Sequence, residues 1–305
     1  MNSLNVYIRH VGRERMGGAA STLYSYLPSN PLTAAEVSKN PIVHFLPVGS
    51  LEIQETAKKL LAAAEEEDGY YSLISASSFN RRARVGQDRV PPVLTESEIS
   101  AWKDRIRAAI EGSPKGIFVK NTVTRVLVLP DSAEAGFPHT RPEIICFPRN
   151  YSADQFSETF VHELVHIHQR HKGGEWLNFL RDVWQFTPVG SESSKVGSDQ
   201  LPAGLVERER LNPDTMAVPH MAWKGRWVPM KVFVAGYDRI SMGSVETLWY
   251  DLENRIDVRD APEGWMETFG TQADHPFEMA AYYVGSRGVH ADTKASKEVC
   301  KWLAL

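Results

Sequence analysis

The chain has 305 residues, 42% of them hydrophobic and 24% charged, with a formal net charge of −4. That balance fits a soluble globular protein with a real core and gives no electrostatic case for nucleic acid or an anionic membrane as partner. No run approaches the length of a membrane span, the amino terminus lacks the plan of a secretory signal, and Cys146 and Cys300 are too few for a disulfide framework; a cytoplasmic, reducing setting is the expectation.

In chain order, Ile53, Ala57, Leu60, Leu61 and Ala64 predict a helix from Ser50 to about Glu67, stopped by Asp68-Gly69. Arg81, Arg82, Arg84 and Arg89 surround Gly86 and read as a solvated basic loop, with a phosphate or carboxylate site as the alternative. Thr95-Glu96-Ser97-Glu98 is a capping box that opens a helix to about Ile110. Ile117 to Lys120, Arg125 to Leu129 and Glu143 to Phe147 are short β-prone runs, with a turn-rich connection from Gly136 to Pro142. Ser152 to Gln155 is a second capping box, and Phe156, Phe160, Leu164 and Ile167 give the helix it opens a buried stripe, up to Gly173-Gly174. Glu175 to about Phe186 reads as an amphipathic helix, and 188–200 as a Ser- and Gly-rich loop. Residues 223–259 read mainly as strands and turns, and short helices follow near 275–284 and 293–303.

The chemistry sits in His162-Glu163-Leu164-Val165-His166, an HExxH string. Histidines four apart project from one helical face and can reach a single Zn²⁺, while the glutamate between them can serve as general base. The string arises by chance in about 1 in 100 chains of this length, so its surroundings matter. They are favourable: at about 100° per residue both histidines lie well away from the buried stripe, and His168 and His171 point elsewhere.

Strands, then an HExxH helix, then a later helix bearing an acid resemble the zincin metallopeptidases, and within them the gluzincin branch. The likeness covers roughly residues 115–172 and a short segment near 278. The metzincin extension fails, because Gln169 and Lys172 stand where glycine and histidine are required. The resemblance implies His162 and His166 as zinc ligands, Glu163 as base, and a glutamate of the later helix as third ligand. Glu278 is the candidate, on a helix that Pro276 starts and Ala280 and Ala281 let pack closely. Glu246, Glu253, Asp257, Glu207 and Glu209 are its rivals. The interval before Glu278 exceeds what gluzincins usually show, which an insertion carrying the 223–259 strands would explain. The resemblance also implies that Glu143 to Phe147 is an edge strand to which an extended peptide adds.

Tyr282, one turn beyond Glu278, could donate to an oxyanion, and His139 could reach the same cleft; a core tyrosine and a loop histidine are the plain alternatives. Arg141 could bind a substrate carboxylate, and His275 or His290 could enter the cleft. The expectation is an α+β, zincin-like protein, with a small mixed sheet packed on the active-site helix. Residues 1–112 would form a mainly helical N-terminal region and 113–305 a metal-binding catalytic domain. The function expected is zinc-dependent hydrolysis of peptide bonds in a peptide or protein substrate. A zinc hydrolase or lyase on another substrate, or an interaction protein with a coincidental motif, are the alternatives.

Overall fold

The computed structural model describes residues 42–119, 122–190, 200–216, 218–234, 240–270, 273–286 and 292–305. Residues 1–41 of the expected N-terminal region, Lys120, most of the expected 188–200 loop and His290 lie outside the described residues. The architecture is mixed α+β.

Among the described residues of the first part lie α1 (Leu51–Asp68), the short α2 (Tyr70–Ala76) and α3 (Ser78–Ala83), and α4 (Glu96–Gly112). Gly69 ends α1 at φ 62, a left-handed cap that glycine adopts without steric cost. The capping box of Thr95 and Glu98 forms as expected. Where a strand is expected from Ile117 to Lys120, Ile117 closes a 3-10 turn (Lys115–Ile117) and Phe118 and Val119 are in no strand.

The first sheet has the order β1-β2-β4-β3, from β1 (Ile42–Phe45), β2 (Val123–Leu129), β3 (His139–Arg141) and β4 (Ile144–Pro148). β1 and β4 flank β2 in parallel, with Phe45 opposite Val126 and Leu127 opposite Cys146, and β3 runs antiparallel to β4. A central parallel strand is covered on both faces, which is why β2 is apolar without alternating. Its residues still part by face. Leu127 and Leu129, with Ile144 and Cys146, meet Ala57, Leu61 and Ala64 of α1. Val126 and Val128, with Ile145 and Phe147, join Trp102 and Ile106 of α4 and Phe156 and Phe160 of α5 (Ala153–His171). Residues before and after 112 thus share one sheet and one core.

Three expectations are corrected here. The connection from Gly136 to Pro142 contains strand β3, and β4 is interior, so the edge belongs to β3. Ser152 does cap α5 by position, but its side chain makes no capping bond. Gly173 opens α6 (Gly173–Asp182) directly after α5.

A second sheet, all antiparallel and in sequence order, contains β5 (Phe186–Pro188), β6 (Met221–Trp223), β7 (Trp227–Phe233), β8 (Val245–Asp251) and β9 (Ile256–Val258). The helices of this half are α7 (Ala203–Arg208), α8 (Trp265–Phe269), α9 (Pro276–Gly285) and α10 (Lys294–Trp302). An aromatic chain ties the sheet to α9: Trp249 stands 4.4 Å from Trp265, Trp184 5.5 Å from Phe269, and Tyr283 5.8 Å from Trp184. Gly285 lets α9 approach α5, since a Cβ there would lie 2.8 Å from the Glu158 carbonyl and 3.1 Å from His162 Cβ. Among the described residues no helix is long and apolar enough to cross a membrane.

Candidate metal centre

The stripe of α5 is buried as its spacing requires, and the opposite side of that helix meets α9. There His162 and His166, one turn apart, bring their Nε2 atoms within 3.0 Å of each other. Glu278, in the first turn of α9, places Oε1 3.3 Å from His166 Nε2 and Oε2 3.5 Å from His162 Nε2. These three side chains could hold a metal ion, their ligand atoms all lying within 4.8 Å of one another. Zinc held tetrahedrally at about 2.0–2.1 Å needs ligand atoms about 3.3 Å apart. The observed spacing fits.

The hydrogen bonds behind the donors decide which lone pairs face the gap. Gln169 donates its amide to the Phe277 carbonyl at 2.9 Å, so its own oxygen faces His166 Nδ1 at 2.8 Å and must accept the proton there. Nε2 of His166 therefore faces Glu278, and that closeness calls for positive charge between them, either a metal ion or a proton on Nε2. Burial would depress the His166 imidazole, but the Glu278 and Asp214 carboxylates override it and lift it to about 10. Burial would likewise raise Glu278, yet the two imidazoles hold it well below the carboxylate range. Asn212 steadies Glu278 from the far side, donating Nδ2 to Oε1 at 2.8 Å.

Glu163 is buried on the same helix, and its Oε2 has no hydrogen-bond partner among the described residues. Burial, with the Asp214 and Glu278 carboxylates, pushes its carboxyl well above the usual range, against the pull of His166. Such a group accepts and returns a proton near neutrality more readily than a solvated glutamate.

His162, Glu163, Glu278, Tyr282 and His139 line one cleft of about 450 Å³, with His166 fully buried behind them. His139 donates from Nδ1 to the Phe137 carbonyl at 3.1 Å, and its buried Nε2 has no partner among the described residues. Tyr282 is 38% exposed at the cleft and is not a core tyrosine.

The rivals to Glu278 are engaged elsewhere. Glu246 pairs with Arg208 and Arg259, Glu253 with Arg226, Glu207 with Ser78, and Glu209 with His220. Asp257 lies in β9, paired with Tyr250 of β8. Arg141 is not in the cleft: it is fully buried against Glu65 and Asp68. His275 caps α9 by accepting from the Phe277 N–H. His168 is buried, accepting from Trp176 Nε1 at 2.9 Å, and His171 is exposed.

The basic loop is only partly solvated. Arg84 is buried, with Nε 2.8 Å from Glu134 Oε2 and Nη2 2.7 Å from the Leu211 carbonyl. Glu134 lines the cleft from a strained turn, with φ 45 there and φ 57 at Ala135. Asn212, Asp214 and Gln169 escape sequence reasoning. Gln169 had a signal, standing three residues beyond His166 on one helical face; Asn212-Pro213-Asp214 reads only as a turn.

The expected route for an extended peptide is also corrected. On β3, Thr140 donates its N–H to Asp214 Oδ1 and accepts from Arg170 Nη2. That edge is covered at its middle residue. No family model, curated protein or solved structure matches this chain, so its function has to be argued from the geometry of the site.

Proposed function

We propose that the chain is a zinc-dependent hydrolase of amide bonds, a metallopeptidase of zincin type with a gluzincin-like ligand set. The observation that carries this reading is the meeting of Glu278 with His162 and His166 across the α5–α9 contact, beside an unpartnered buried Glu163. His162, His166 and Glu278 would hold the zinc, leaving a fourth position open. Bound zinc supplies a Lewis acid and lowers the pKa of a coordinated water.

Glu163 takes a proton from the attacking water and passes it to the leaving amine, a double role suited to its raised pKa. Tyr282 and His139 face the cleft from opposite elements; the Tyr282 hydroxyl can donate to a developing oxyanion, and His139, whose Nδ1 proton goes to Phe137, can do so from Nε2 as the imidazolium. The covered edge of β3 favours a short substrate over an extended polypeptide. The same edge favours, as a second reading, zinc-assisted hydrolysis of a small non-peptide acyl compound by the same groups. A digest of peptides of graded length separates the two.

The deciding variant is Glu163→Gln. It keeps the volume but cannot accept the proton, so zinc content and thermal midpoint should hold while turnover falls by about 10²–10⁴-fold or more. Turnover within a few-fold of the unmodified protein would remove Glu163 from the chemistry.

A further inference from the structure

Arginines whose side chains are visible in this fold are nearly all committed. Arg84 binds Glu134, Tyr70, Asn80 and the Leu211 carbonyl; Arg141 binds Asp68 and Glu65; Arg170 holds the Pro213 carbonyl. Arg208 and Arg226 pair with Glu246 and Asp251. Arg210 differs. It lines the cleft, its Nε is buried without a partner, and its guanidinium makes no hydrogen bond or ion pair among the described residues.

Its place is fixed by its backbone. Arg210 donates its N–H to the Lys231 carbonyl at 2.8 Å. The next residue, Leu211, donates to Asn80 Oδ1 at 3.0 Å, and the one after, Asn212, holds Glu278. Two residues span at most about 7 Å of chain, so Arg210 emerges close to the metal-ligand helix. Arg210 and Glu278 line the same cleft. A fork of N–H donors left unpaired beside a cleft matches a planar, bidentate anion.

We propose that Arg210 is the substrate anchor of the cleft and binds a carboxylate of the substrate beside the bond cut at the metal centre. The carboxylate is the carboxyl terminus of a short peptide or an acidic side chain next to the scissile bond. This rests on the hydrolase reading for the word substrate, but the anion site itself does not depend on turnover. A terminal carboxylate fits the covered β3 edge, because a short peptide gripped by its end needs no main-chain pairing along a strand.

The test is equilibrium binding to the full chain carrying Glu163→Gln, in which no probe is consumed. The probes are N-acetyl-phenylalanyl-phenylalanine, its carboxyl-terminal amide, and N-acetyl-glutamyl-phenylalaninamide. At least one carboxylate probe should bind roughly tenfold or more tighter than the neutral amide. That preference should vanish in Arg210→Ala and fall part-way in Arg210→Lys, with thermal midpoints unchanged. If Arg210→Ala melts early, Arg210→Met keeps the aliphatic stem and serves instead. Which carboxylate probe is preferred identifies the source of the anion. Equal binding of all three probes overturns the proposal, as does a preference that survives loss of Arg210 and so belongs to the metal. Either result leaves the hydrolase reading to the turnover of Glu163→Gln.

Discussion

Two of the three side chains at the candidate centre are each held by a neighbour. Gln169 sets the tautomer of His166, and Asn212 orients Glu278. If zinc binds as proposed, Glu278→Ala should lose metal retention and activity together, because two imidazoles alone rarely hold catalytic zinc. Glu278→Asp keeps the charge with a shorter arm and should fall between. Asn212→Ala should weaken zinc affinity by about 10–100-fold, the usual cost of an outer partner, while the fold persists. Tyr282→Phe should spare the zinc and, if the hydroxyl meets an oxyanion, reduce turnover by on the order of 10²-fold. Titration with a competing chelator, on preparations whose melting has been compared, measures the affinities. Unchanged affinity in Glu278→Ala would sink that ligand. At this scale the histidine pair was legible because four-residue spacing on a helix is a local property. Asn212 was not, because its partner is distant in the chain and its own sequence signals only a turn.

Among the elements, α5 and α9 matter most, since their contact brings the ligands together. At Gly285 they approach closely. A methyl group at that position meets the Glu158 carbonyl at 2.8 Å, a backbone atom that cannot rotate away. Gly285→Ala should therefore push α9 outward, costing about 1–3 kcal/mol in stability and weakening zinc retention with it. Denaturant unfolding and elemental analysis of one preparation check both; a variant as stable as the parent with full zinc would show that the contact yields easily. The helices were legible in outline because caps and spacing act within a turn or two: α1, α4, α5, α9 and α10 stand within a few residues of expectation. β3 was missed, hidden in a proline-flanked connection, since a three-residue strand exists only through its pairing with β4.

For the whole molecule, a ligand that joins two distant helices should couple to folding. At free zinc about 100-fold above its dissociation constant, linkage adds about 2.7 kcal/mol. Removing the metal with a chelator should then lower the thermal midpoint by about 4 °C for a chain of this size. The purified protein should carry one zinc per chain, and the His162→Ala, His166→Ala double variant should carry none and show no chelator effect. Stoichiometric zinc in that variant would place the site elsewhere. Sequence alone determined the HExxH helix, its buried stripe and the α+β class, because helical spacing and capping are set by neighbours along the chain. Only the tertiary structure decided that Glu278 faces the histidines, that Arg84 is buried while the Arg210 guanidinium has no partner among the described residues, that β4 is interior, and that Asp214 covers the β3 edge. Each of these depends on side chains brought together from remote parts of the chain by core packing, and such packing leaves no periodic trace in a single sequence.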